Sequence, residues 1–284
     1  MNGLTERLCR SLFAIPEQEL SAYGARLVRQ VWSRCPREIR DDFPKSVGTP
    51  PGGLAASDGS ARQCPVETAA FKNAFSFAVA ECRKESSKEG ISRERVCSSV
   101  PVFAATALAE ARGKNCRDLC YAVGVGMEAY GRFIASLASS TTRKGFDPHV
   151  LAASMAAIVA CGAIEKLPPD KLAQAIGLGC SSITAVTTGY FPLQAAMAAR
   201  DGIVMVLLVT CAFGAPPDAL ACRWGIYETH ANPADMSALD LRRDHKTGID
   251  ALLDLFGSSI EENQVLQSWS ESTAVSGLTA DVFR

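Results

Sequence analysis

From residue 66 onward, apolar positions recur three and four residues apart in one segment after another: 66–82, 101–112, 116–139, 150–164, 169–182 and 194–212. That is the period of a helix with one buried face. The breaks carry matching punctuation, with Gly113 after one segment, Asp118 in the first turn of the next, and Pro168 and Pro169 opening another. β-Branched runs with strict alternation are scarce, so the pattern predicts an all-α chain with little or no sheet. Residues 6–31 read as one or two further helices. Residues 35–64 gather proline, glycine and serine and read as a long surface loop, and the charged run 81–95 reads as a solvated one. After Tyr227 the signal weakens to two short helices, 249–256 and 261–269, and a flexible tail over 270–284. The whole, 1–284, is expected to be one domain with its best-defined core at 66–226.

Two helices stand out for small side chains, AASMAAIVACGAI (152–164) and LQAAMAARDGI (193–203). Small residues let helix axes approach, so these are the expected central helices, and the same composition suits a pocket wall. The most apolar stretch, 202–215, is about a dozen residues long where a bilayer span needs roughly 20, so it reads as buried rather than membrane-crossing. A net charge of −1 lacks the basic surplus that nucleic acid demands. The charged N-terminus (Glu6, Arg7, Arg10) has no signal-like apolar run, which points to a cytoplasmic location. Eleven cysteines without CxxC spacing read as reduced, small apolar residues. Cys116 and Cys120 share a helix face, but none of the three histidines is near them, so no metal is expected.

The middle of the chain carries a succession of recognisable motifs. AAFKNAFSFAVAE (69–81) resembles an "A-A-F-x-N-G" helix. PVFAATALAEARGKNCRDLCYAVGVGMEAYGRF (101–133) resembles an alanine-rich helix, a "G-x-x-x-x-D-L" turn and a "G-x-E-x-x-x-R" helix, with Glu128 and Arg132 four apart on one face. GFDPHVLAASMAAIVACGAIEKLPPDKLAQAIGLGCSSITAV (145–186) is similar to an "F-H-P-T" loop and the two helices after it. FPLQAAMAARDGIVMVLLVTCAFGAP (191–216) is similar to a "K-P-L-H-x-G-x-A-A-R-N-G" run and its "G-x-x-G-P" turn. In this order, over about 66–226, they resemble the MmgE/PrpD family, which includes 2-methylcitrate dehydratase, cis-aconitate decarboxylase and iminodisuccinate epimerase. The resemblance implies a large helical domain, a homodimer, and proton chemistry beside a carboxylate without metal or organic cofactor. It also implies a smaller α+β lid, and nothing after Tyr227 reads as that lid; KTGIDALLDL (246–255) is similar to the helix that re-enters the main domain.

Carried over position by position, the family's acid, base and cationic groups are replaced. Its aspartates fall near Arg83 and Lys84, and its "H-P-G" histidine at Val96 or Cys97. Asp147 stands for the "F-H-P-T" histidine, with His149 two positions on; Phe191 stands for the lysine and Gln194 for the histidine of "K-P-L-H". An aromatic ring at Phe191 cannot hold a carboxylate, and its burial is worth roughly 1.5 to 3 kcal/mol to an apolar ligand or to the core.

Asp147 and His149 are therefore candidates for an altered acid and base, with His149 weighed against a partly exposed histidine at a helix N-terminus. Cys97, Ser98, Thr187, Thr188, Tyr190, Phe191 and Gln194 are candidate substrate contacts, against core, turn or capping roles. Cys97, followed by Ser98 and Ser99, has no paired base to make it a nucleophile. Arg83 and Lys84 suit a solvated face; His230 and His245 have no place in the motifs. Three readings follow. The first is a cofactor-free cyclase or isomerase folding a hydrophobic, carbonyl-bearing small molecule, as in an intramolecular cycloaddition of Diels-Alder type. The second is a proton-transfer lyase or epimerase as in the family, and the third a non-catalytic paralogue.

Overall fold

The computed structural model describes residues 3–35, 55–57, 63–84, 89–183, 185–215, 218–231 and 235–239. The two helices expected after residue 248, the tail at 270–284, His245 and most of the loop at 35–64 lie outside them. The described elements run in the order α1 (Leu4–Phe13), α2 (Glu17–Arg34), β1 (Ala55–Ser57), β2 (Gln63–Pro65), α3 (Val66–Lys84), α4 (Glu89–Ala111), α5 (Cys116–Arg143), α6 (Pro148–Ile164), α7 (Pro169–Gly179), α8 (Phe191–Thr210) and α9 (Ile226–His230). A turn of 3-10 helix, Met236–Leu239, follows. The chain is all-α. Among the described residues its only sheet is the antiparallel pair β1–β2, with Ala56 opposite Cys64.

Local chemistry sets the helix ends. Asn115 caps α5 by accepting from the Asp118 amide at 2.9 Å. Gly113, at φ 59°, turns the chain out of α4 while the Lys114 amide returns to the Ala109 carbonyl. α1 is capped from far along the chain: the Asp218 carboxylate accepts from the Leu4 and Thr5 amides and the Thr5 hydroxyl.

α6 is buried at every position from Val150 to Ile164. It packs against α5, α4, α8 and α7, while α2 covers α5 and α3 covers α8 and α4. α8 is long and apolar enough to cross a membrane by length and composition alone. Its packing against α3, α4, α6 and α7 accounts for that apolar character.

The charged run at 81–95 is not the expected solvated loop. α3 continues through it to Lys84, and α4 begins at Glu89, a dozen residues before the expected start, with Pro101 inside the helix. Charge there does not mean exposure. Glu81 is fully buried and answers Arg95 at 3.1 Å and Arg34 at 3.5 Å, the pairing that lets a carboxylate leave water.

α2 and α5 approach each other closely through two glycines. A Cβ on Gly24 would strike the Cys120 carbonyl oxygen, and one on Gly124 the Leu20 carbonyl oxygen. Both obstacles are backbone and cannot rotate away. Gly124→Ala is expected to cost about 3 kcal/mol, the upper part of the overpacking range, read as a lower urea midpoint at unchanged slope.

Candidate active site

Asp147 opens α6, and the Asp-Pro pair explains why the helix begins there. One carboxylate oxygen accepts from the His149 amide at 2.9 Å and the Val150 amide at 3.3 Å, and Pro148 fills the first turn where no N–H is needed. The other oxygen accepts from Arg93 Nη1 of α4 at 2.6 Å, and the carboxylate is almost wholly buried. Both oxygens are thus occupied by cap and ion pair. The same guanidinium lies 4.8 Å above the ring of Phe191, which is buried at the start of α8. Phe191 is therefore not a bare apolar wall. It is roofed by a cation.

His149 is the second residue of α6, with both ring nitrogens engaged or faced. Nδ1 lies 2.9 Å from the Tyr130 hydroxyl of α5, and Nε2 lies 3.8 Å from Glu94 Oε1 of α4. Burial holds the imidazole below its usual range, helped by Arg93 and opposed by the charges of Asp147 and Glu94. A neutral ring makes no ion pair with Glu94, so the 3.8 Å separation is a gap between a ring nitrogen and a carboxylate. Both side chains are partly exposed, that of His149 by 27% and that of Glu94 by 31%. Burial drives the Tyr130 hydroxyl well above its ordinary value, with Cys97, Glu94 and Asp147 adding to the shift, so it keeps its proton. One guanidinium faces two carboxylates, leaving the cluster with an excess of negative charge.

Of the residues expected from sequence, Asp147, His149, Cys97 and Phe191 come together here. Cys97 is completely enclosed, and burial, reinforced by the charge of Asp147, pushes its thiol far from ionisation, which removes it as a nucleophile. Ser98 is buried and donates to the Arg95 carbonyl at 2.9 Å, as Ser99 does to Val96 at 2.7 Å, so both hydroxyls serve their own helix. Thr187, Thr188 and Tyr190 lie exposed on the neighbouring loop. That loop is tied to the α6 start by the Asp147 amide to the Ala185 carbonyl at 2.6 Å and the Thr187 amide to the Gly145 carbonyl at 2.9 Å. Gln194 braces it from within, donating Nε2 to the Val186 carbonyl at 2.9 Å. Tyr190 meets Phe75 edge-on at 6.4 Å.

Arg93, Glu94 and Tyr130 were not expected. The first two lay inside the run read as solvated; their signal was that Arg93 stands four residues before Cys97 on one helix face. Tyr130 had no signal beyond its place in an apolar helix. Glu128 and Arg132 pair at 2.7 Å as their spacing suggests, but Arg132 also donates to Ser11 at 2.6 Å, so this pair anchors α1 and does not join the site. His230 packs on Phe146 with ring centroids 4.1 Å apart, at the edge of the cluster. Arg83 is exposed near the end of α3, matching the solvated-face reading. Cys116 and Cys120 bring their sulfurs to 3.9 Å, and among the described residues no three metal-ligating side chains converge.

Fold and cluster together define a helical scaffold carrying a histidine, a tyrosine and carboxylates around one buried helix start. The family model for the MmgE/PrpD N-terminal domain matches residues 46–239, and the chain belongs to this dehydratase- and isomerase-like family. No curated protein matches it.

The suppressed ionisation of His149 has a consequence for stability. An unfolded histidine takes up a proton near pH 6.5, while the folded one does so only at lower pH. Below about pH 6.5 the unfolded state therefore binds more protons, and stability falls with acidification until the folded pKa is passed; above it the contribution is complete. Urea midpoints at pH 7.5 and 5.5 should differ less in His149→Gln than in the wild type. An equal difference in both proteins would refute this account.

Proposed function

We propose that this chain is a lyase or isomerase that moves a proton on a carbonyl-bearing substrate without metal or organic cofactor, with His149 and Glu94 as the exchanging pair. The observation that carries this reading is the pairing of two partly exposed groups, His149 Nε2 and Glu94 Oε1, 3.8 Å apart. A carbonyl compound resting on that pair from the solvent side would meet a carboxylate and an imidazole together, the two group types that enolisation uses. The enolate so formed regains its proton elsewhere, giving isomerisation, or expels a neighbouring group, giving elimination. Positioned acid–base groups supply typically 10² to 10⁴ in rate.

Charge argues for the substrate class. Arg93 is already bound to Asp147, and Glu94 adds a second carboxylate, so a di- or tricarboxylate would meet repulsion. The fitting substrate is uncharged at its reacting end. A second reading, cyclisation of a hydrophobic carbonyl compound, is favoured by the exposed Val186, Tyr190 and Leu193 beside Phe75. It needs orientation and one hydrogen bond, and no base.

Incubation with a panel of neutral ketones and lactones in D₂O separates the two by mass spectrometry. Proton transfer predicts deuterium beside the carbonyl, lost by 10²-fold or more in Glu94→Gln and in His149→Ala. Turnover that is undiminished in Glu94→Gln and incorporates no deuterium would instead assign the cyclase reading. A homodimer belongs to the same proposal on family grounds, and sedimentation showing only monomer would remove that part.

A further inference from the structure

We infer that Tyr130 is a positioning residue: its hydroxyl donates to His149 Nδ1 and so fixes the ring proton on Nε2, making His149 the hydrogen-bond donor and leaving Glu94 as the base. This rests on the reading of His149 and Glu94 as the proton-moving pair and assigns each its half of the work.

The argument is a proton inventory. Tyr130 is completely buried on α5, and a buried phenol must place its proton on an acceptor. Nδ1, at 2.9 Å, is the acceptor in reach among the described residues. Burial keeps the phenol protonated, so the proton is there to be donated. A nitrogen that accepts carries a lone pair, and a neutral imidazole then bears its hydrogen on the other nitrogen. The groups facing the ring favour the same tautomer. Glu94, on α4, lies beyond Nε2 and attracts an N–H there; Arg93, also on α4, is held by Asp147 at the start of α6 itself.

Neutral and protonated at Nε2, His149 cannot accept a substrate proton at the nitrogen that faces the gap. Ionising it would put a proton on Nδ1 and displace the phenol's. In the forward step the carbon–hydrogen bond beside the carbonyl breaks and its proton passes to the Glu94 carboxylate. The electron pair forms the new carbon–carbon double bond, the carbonyl π pair moves to oxygen, and that oxygen takes the hydrogen bond from Nε2–H. The reverse transfer from Glu94 closes the cycle with no change in proton count.

Nitrogen NMR of the full chain labelled with ¹⁵N-histidine tests this, since only three histidines are present and His149→Gln assigns the signal. The expected wild-type result is an unprotonated Nδ1 and a protonated Nε2 at neutral pH. In Tyr130→Phe the preference should fall roughly fivefold or more, the equivalent of one net hydrogen bond. Should that variant fail to fold, 3-fluorotyrosine labelling makes the phenol a better donor and should move the His149 Nδ1 resonance. Nδ1–H in the folded wild type, or a preference indifferent to both changes at Tyr130, overturns the inference. Neither readout needs turnover, so a correct tautomer in an inactive protein would sink the proposed reaction alone, and a wrong tautomer in an active one would sink only this assignment of roles.

Discussion

The burial of α6 on every side is the constraint from which the site follows. A helix enclosed by four others has no face left for large or charged side chains, which is why its length is written in alanine, serine, cysteine and small aliphatics. Its N-terminus is where that constraint lifts. The free amides there need an acceptor, and Asp147 provides one while the close packing behind it prevents the whole turn from shifting. His149 inherits a fixed position from this arrangement, because its backbone is held by the cap and its ring by Tyr130.

Asp147 and Arg93 behave as a unit. At the position where the resemblance places a histidine, a carboxylate is present, and at the position of a lysine there is an aromatic ring. A guanidinium from α4 satisfies both, pairing with Asp147 and covering Phe191. Removing Arg93 would leave the buried Asp147 carboxylate without its cationic partner, so Asp147 and Phe191 make sense together with Arg93 and not one by one. The proposed preference for a substrate uncharged at its reacting end rests on this arrangement.

Much of the helical frame was legible, and for identifiable reasons. Residues 150–164 are apolar all round, which marks a helix packed on all sides, although the helix itself starts two residues earlier, at Pro148. The succession of family motifs from Ala69 to Pro216 was legible too, although no one of them is distinctive. What escaped was contact made at a distance. Arg93 reaches a partner 54 residues on, Tyr130 one 19 residues on, and Asp218 caps a helix 214 residues before it. The run at 81–95 misled because charge density was read as hydration, whereas pairing across helices had already supplied what water would have given Glu81.

The proposed reaction would gain from the neutrality of His149 in a specific way. A cationic histidine would bind a carbonyl oxygen more strongly in the ground state, but would also be neutralised by Glu94 at 3.8 Å and so withdraw both groups from use. A neutral imidazole leaves the carboxylate free. In the proposed reaction, a partly desolvated N–H would interact more strongly with the growing charge of an enolate than it would in water, which is the difference that lowers a barrier. The depressed ionisation of His149, the protonated phenol of Tyr130 and the pairing of Arg93 with Asp147 all act toward the same condition, a neutral donor beside an unpaired carboxylate.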